Sequence, residues 1–136
     1  QQPPKSTGRD LFNPAWLAPL LAQHAAQAAA ADVQTTLTEF TAQAIAHDML
    51  RHGAAPGQQL IVCGGGALNG YLLQRLAQHL PGVAVESSAK HGLPPQQVEA
   101  AAFAWLARQC WHGLAGNMPA VTGARGARVL GAIYPR

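Results

Sequence analysis

Residues 60–87 narrow the choice of fold more than any other stretch. An apolar, β-branched run, LIVC at 60–63, is followed by three successive glycines, Gly64, Gly65 and Gly66, then by a helix-like segment over 71–80 and a second strand-like run over 83–87. A strand, a helix and another strand in this order imply a crossover, and crossovers of that kind join parallel strands. The chain is therefore expected to be α/β. The glycines lie where strand hands over to helix, and ligands bind at such junctions because free backbone N–H groups and the helix dipole favour negative charge there. Without side chains, the backbone can lie directly against a ligand. The same glycines also suit a tight turn that needs positive φ.

Around this unit, Thr36 and Glu39 have capping-box spacing, and Leu37, Phe40, Ala44, Ile45 and Met49 recur at helical intervals until Gly53 and Pro56. This predicts a helix beginning at Thr36. A further helix is expected over 95–111, and a weaker strand signal covers 129–134. Residues 1–20, with prolines at positions 3, 4, 14 and 19, read as an extended arm with one turn of helix. The alanine-rich stretch 22–33 suits a short surface helix or a mobile connection. The expected organisation is one partial domain over 1–136, with the arm and alanine-rich helix in 1–35 and the α/β core in 36–136. Only two good strands are found, against about five or six in an ordinary sheet, and parallel strands need helices on both faces. Either strands escape detection near the N-terminal end, or the rest of the sheet lies in sequence outside this chain. A start at Gln1 rather than Met fits a processed or partial chain.

Composition limits both core and partners. The chain has 136 residues, enough for one core, but alanine supplies much of its 49% hydrophobic share and aromatics only 6%, so the core should be helix-rich and closely packed. Charged residues make up 11% and the net charge of +3 is scattered singly. Arg125, Arg128 and Arg136 gather without interleaved aromatics, which argues against a nucleic-acid surface. Cys63 and Cys110 make neither a disulfide framework nor zinc-ligand spacing. No apolar run approaches the roughly 20 residues that span a bilayer. A soluble, cytoplasmic protein is expected.

The glycine run fits neither common phosphate motif. In the pattern G-x-G-x-x-G, Asn69 takes the last glycine position, and the acid closest to a ribose-binding place is Glu86; KSTG at 5–8 has the lysine and hydroxyl of a P-loop without its glycine-rich lead-in. Asn69 reads as the N-cap of the following helix or as an amide able to bond a sugar or base. Glu99 shares a helical stripe with Ala102, Phe103, Leu106 and Cys110. It is either a first-turn acid complementing the helix dipole or a cleft carboxylate accepting hydrogen bonds from a polyol. The six histidines form no i, i+4 pair and read as surface residues. Cys63 and Cys110 read as small core residues, and Trp105 and Trp111 as packing residues.

Four stretches, KSTGRDLFN at the start, LIVCGGGALN in the middle, GLPPQQVEAAAFAWLA over 92–107 and GNMPAVTGA over 116–124, are together highly specific. In this order and spacing they closely resemble the C-terminal portion of the anhydro-N-acetylmuramic acid kinases, bacterial sugar kinases of the actin, Hsp70 and hexokinase fold group. The resemblance spans nearly the whole chain. It implies a partial ribonuclease H-like lobe of the actin, Hsp70 and sugar-kinase type, with parallel strands flanked by helices. The family phosphorylates 1,6-anhydro-N-acetylmuramic acid with ATP while water opens the anhydro bridge, giving N-acetylmuramic acid 6-phosphate in cell-wall recycling.

By this resemblance, Gly64, Gly65, Gly66, Ala67 and Asn69 are expected to bind the nucleotide and Glu99 the sugar. ATP and magnesium are the expected cofactors, the anhydro-amino sugar the substrate and a homodimer the assembly. Residues 5–9 match a family segment with no role assigned. The family's phosphate loop and its general-base aspartate lie upstream of anything in this sequence, so the resemblance implies no catalytic residue and no metal ligand within 1–136. Phosphoryl transfer depends on an oriented nucleophile and charge stabilisation, so this chain alone is expected to be inactive. The resulting expectation is the C-terminal nucleotide-binding lobe segment of such a kinase. Two rivals stand beside it: a Rossmann-type dinucleotide-binding module, and a non-catalytic dimerisation fragment in which the glycine loop is only a turn.

Overall fold

A computed structural model describes Gly8 and residues 10–134. They fall into two compact units, one over Ala29–Phe103 and one formed by the flanking residues, Gln1–Ala28 with Ala104–Arg136. The elements are α1 (Pro14–His24), α2 (Ala30–Arg51), β1 (Gln59–Val62), α3 (Gly70–His79), β2 (Ala84–Ser87), α4 (Val98–Trp111) and α5 (Pro119–Thr122), with short 3-10 turns at Gly65–Leu68, Ser88–His91 and Pro95–Gln97.

In the unit over Ala29–Phe103, β1 and β2 pair in parallel, with Leu60 opposite Val85 and Val62 opposite Ser87. Side chains alternate along a strand, so Leu60 and Val62 turn inward while Gln59 and Ile61 are exposed. Ala42 and Ala46, one turn apart on α2, offer small side chains that let α3 approach closely. Leu72 and Leu76 pack on Ala42, and Leu80 and Val83 on Ala46, with Leu60, Val62 and Val85 closing the layer from the sheet. Leu76 and Leu80 are the largest fully buried side chains, each contributing about 1.5–3 kcal/mol of burial. At the other end of the strands, Gly57 donates to the Gly82 carbonyl at 2.9 Å. Gly82 has φ +83 and packs so closely on Pro56 that a Cβ would stand 2.8 Å from the proline Cβ.

Helix α2 starts six residues before the predicted Thr36, because alanine propagates a helix without needing a cap at that point. The Thr36 hydroxyl donates back to the Asp32 carbonyl at 2.8 Å. Glu39 does not close a capping box either. It reaches across to α3, where Oε2 accepts from Arg75 Nε at 2.5 Å, Oε1 accepts from Arg75 Nη2 at 3.0 Å, and His79 Nε2 lies 2.7 Å away. The hydrogen bonds from Arg75, followed by that from Gln43, hold the Glu39 carboxyl down from 4.5 to about 2.

In the other unit, residues expected to form an extended arm instead make α1. Asn13 caps it, accepting from Trp16 N at 3.0 Å, and Pro14 occupies the first turn, where its missing N–H costs nothing. The expected strand over 129–134 does not form among the described residues. The GNMPAVTGA stretch folds on the end of α4: Gly116 donates to the Arg128 carbonyl at 3.0 Å, and Asn117 holds Gly126 O at 3.0 Å and Arg128 N at 2.7 Å. Trp105 and Trp111, expected to pack, are 50% and 72% exposed. Most of the KSTGRD segment lies outside the described residues.

Parallel pairing and the α/β class follow the expectation. The ribonuclease H-like lobe of the actin, Hsp70 and sugar-kinase type does not, because the described residues form only a two-stranded sheet with α2 and α3 packed on it, without the strands that would define such a lobe. Among the described residues, no helix is long and apolar enough to cross a membrane.

Candidate functional site at the carboxyl ends of the strands

Beyond β1 the chain passes through Cys63 to Gly64, whose φ of 69° and ψ of −163° lie where only glycine is comfortable. The Gly64 N–H donates to the Pro95 carbonyl at 2.9 Å, tying the loop to the segment that leads into α4. A single 3-10 turn over Gly65–Leu68 follows, closed by Ala67 N to Gly64 O at 3.2 Å and Asn69 N to Gly66 O at 3.1 Å. Ala67 is buried beneath it, while Gly65 and Asn69 are exposed. A Cβ on Gly65 would meet nothing within 4 Å, and one on Gly66 would touch Leu72 Cδ2 at 3.4 Å. Asn69 caps α3, its Oδ1 accepting from Leu72 N at 3.1 Å. The capping reading therefore holds, and no hydrogen bond engages Nδ2 among the described residues.

The end of β2 supplies the second wall. Ser87 Oγ accepts from Ala89 N at 3.3 Å, and Leu93 N donates to Ser88 O at 3.2 Å, folding the chain back through the left-handed Gly92. Ser88 Oγ is buried and has no hydrogen-bond partner among the described residues. Glu86 is occupied on both oxygens, by Lys90 Nζ at 3.0 Å and His91 Nε2 at 3.1 Å. The Lys90 hydrogen bond leads in holding its carboxyl below the usual range. A ribose-binding acid would need those oxygens free.

Glu99 lies in the first turn of α4, four residues past the Pro95 carbonyl that binds the loop. It is exposed, and no hydrogen bond or ion pair holds it among the described residues. The stripe it was expected to share with core residues is open at this end, with Phe103 64% exposed. Further along, Leu106 and Cys110 are half-buried, against Gly116 and Gly131 respectively. Cys63, expected in the core, is exposed just past the strand. No group of three or more His, Cys, Asp or Glu residues that could hold a metal is present among the described residues.

Sequence reasoning missed one feature. A groove of about 170 Å³ opens between α2 and the start of α3, lined by Gln34, Leu37, Thr38, Thr41, Asn69 and Leu72. Gln34, Thr38 and Thr41 recur at i, i+4 and i+7, a polar stripe that helical periodicity would have revealed had α2 been expected to start at Ala30.

The Anhydro-N-acetylmuramic acid kinase family model matches residues 1–136. The chain is 68% identical over 133 residues to the anhydro-N-acetylmuramic acid kinase of Variovorax paradoxus (strain S110), covering 98% of this chain and 35% of that protein. It is 64% identical over 135 residues to the one of Cupriavidus pinatubonensis (strain JMP 134 / LMG 1197), covering 98% and 36%, and 54% identical over 133 residues to that of Xanthomonas campestris pv. campestris (strain 8004), covering 98% and 34%. The chain thus spans about a third of the length of the curated relatives it matches. That third is read as their N-terminal part, so the expected placement as a C-terminal nucleotide-binding lobe is withdrawn, together with the function framed on that lobe. The dinucleotide-binding rival is left without support. Matched from end to end by one family model and at more than half identity by several curated relatives, the chain belongs to the anhydro-N-acetylmuramic acid kinase family.

Proposed function

We propose that these residues form part of the ATP and sugar site of a kinase acting on anhydro-N-acetylmuramic acid, with the backbone of Gly64, Gly65, Gly66 and Ala67 and the amide of Asn69 facing the nucleotide and Glu99 facing the sugar. Gly65 carries the reading. It is absent from the positive-φ glycines, and a Cβ there would stand in open space, so nothing within the described fold requires glycine. A ligand lying flat against the main chain does require it. Glu99 supports the sugar role because, among the described residues, nothing occupies its carboxylate oxygens, which leaves them to accept from hydroxyls. The full protein would transfer the γ-phosphoryl group of ATP to a sugar oxygen, a reaction governed by positioning and charge stabilisation. Magnesium would accompany the ATP phosphates, but no ligand set in this chain is assigned to it. Cytoplasmic residence, where ATP is supplied, and a homodimer belong to the same proposal.

The test is calorimetric titration of ATP into the intact polypeptide carrying Gly65→Val, alongside turnover measurements on Glu99→Ala. Steric cost at a packed contact is about 1–3 kcal/mol, which is roughly a fivefold to more than hundredfold loss of ATP affinity, with no loss of thermal stability. Glu99→Ala should reduce sugar turnover far more than ATP binding. Unchanged ATP affinity in Gly65→Val would remove the loop from the site. Equal loss of turnover and ATP binding in Glu99→Ala, or loss of neither, would remove Glu99.

A further inference from the structure

The glycine loop is tied to the start of α4 by a hydrogen bond from Gly64 N–H to the Pro95 carbonyl at 2.9 Å, and the chain is stiff on both sides of it. Gly64 lies two residues past Val62, which is paired with Ser87 in the sheet. On the other side Leu93 N is held by Ser88 O at 3.2 Å, and Pro94 and Pro95 follow directly. Each proline ring fixes its own φ at about −65° and confines the residue before it to extended backbone. Pro94 accordingly stands at φ −54°, ψ 135°. Gln97 N then closes a turn on Pro94 O at 2.9 Å, and Val98, at φ −60°, ψ −42°, begins α4 without a break. From Pro95 to Glu99 the backbone is therefore one continuous helical run, and Glu99 stands roughly 6–8 Å along it from the carbonyl that the loop grips. Core packing does not explain the two prolines, since Pro94 is exposed and Pro95 only half-buried.

We propose that Pro94 and Pro95 are positioning residues: they hold the Pro95 carbonyl against Gly64 N–H, so that the glycine loop and Glu99 are ordered together and a ligand at either one strengthens binding at the other. The inference rests on the nucleotide and sugar contacts proposed above and adds the link between them. A nucleotide that orders the loop also orders the start of α4 through the hydrogen bond. The sugar then meets a carboxylate already in place, and less freedom is lost on binding. Linkage makes the effect reciprocal, so the sugar strengthens nucleotide binding by the same factor.

The experiment measures the affinity of the intact polypeptide for 1,6-anhydro-N-acetylmuramic acid by calorimetry, with and without the non-hydrolysable β,γ-imido analogue of ATP. The analogue should raise sugar affinity by at least about fivefold, the lower end of typical coupling between sites. In the double variant Pro94→Gly, Pro95→Ala that enhancement should disappear, while each ligand alone binds as in the unaltered protein. A purely structural role would weaken both single affinities instead. The conservative Pro94→Ala should keep the enhancement, because Pro95 still confines residue 94 to extended backbone. Hydrogen exchange gives a readout that needs no variant: the sugar alone, without nucleotide, should slow exchange at the Gly64 amide. An unchanged Gly64 amide, no enhancement in the unaltered protein, or an enhancement that survives in the double variant overturns the proposal. If Gly65→Val still weakens ATP binding and Glu99→Ala still lowers sugar turnover in that case, both contacts stand and only their link fails. Loss of neither refutes the contacts and the link together.

Discussion

Gly64 and Gly65 are neighbours with opposite structural demands, and replacing each by alanine separates backbone strain from ligand contact. Gly64 is held at φ 69°, ψ −163°, a region open essentially to glycine alone, where an L residue costs on the order of 1–3 kcal/mol. A Cβ at either position would meet nothing within 4 Å, so packing adds no further cost. Gly65 begins a helical turn at a φ that alanine can adopt, and the smaller entropy of the unfolded chain should stabilise Gly65→Ala by about 0.4–1 kcal/mol. The two variants should therefore differ by about 1.4–4 kcal/mol. At about 2–8 °C per kcal/mol for domains of this general size, that is a separation of several degrees or more in thermal midpoint. Thermal and urea unfolding followed by circular dichroism, without nucleotide, reads it directly. Equal midpoints, or a Gly65→Ala protein less stable than Gly64→Ala, would refute the assignment of strain to Gly64 and freedom to Gly65. Repeating the melt with ATP adds the functional half. A ligand at about 100 times its Kd stabilises by about 2.7 kcal/mol, and Gly65→Ala should lose part of that gain.

Acid titration tests the Glu39 clamp. Its folded pKa of about 2 lies below the ordinary 4.5, so its contribution to stability is complete above pH 4.5 and is lost as pH falls from there toward 2. The stability difference between the unaltered protein and Glu39→Gln should shrink across that window when followed by urea unfolding at stepped pH; a difference that stays constant down to pH 2 would show that the ion pair contributes nothing. Ser88→Ala removes a buried hydroxyl that has no partner among the described residues, and should leave stability unchanged or raise it by about 1 kcal/mol. Destabilisation measured in the same unfolding assay would reveal a bond that Ser88 makes in the folded protein.

The elements whose side-chain pattern is local were legible from sequence. The LIVC and VAVES runs, the glycine junction, the α3 pattern and the 95–111 helix all appear within a few residues of their expected bounds, because period-2 and period-3.6 patterning reflects a burial requirement that each segment carries itself. Asn69 as a cap was legible for the same reason, since the bond to Leu72 N spans only three residues. The N-terminal prolines misled. Those at positions 3, 4, 14 and 19 together suggested an arm, whereas Pro14 sits where a helix tolerates proline best. Thr36 and Glu39 misled in another way, their capping spacing being overridden by the alanines before them and by Arg75 on a separate helix.

Sequence by itself determined the order of the central elements from α2 to α4, the need for glycine at a strand-to-helix junction and, through four motifs taken together, the family. Tertiary structure alone decided that Glu39 faces Arg75 and His79, that Glu86 is occupied while Glu99 has no partner among the described residues, and that three polar residues of α2 meet Asn69 around one groove. The division follows from range. Helix and strand propensities act between residues a few positions apart, whereas an ion pair 36 positions apart or a groove between two helices exists only once the chain has brought distant residues together, and no local pattern encodes that distance.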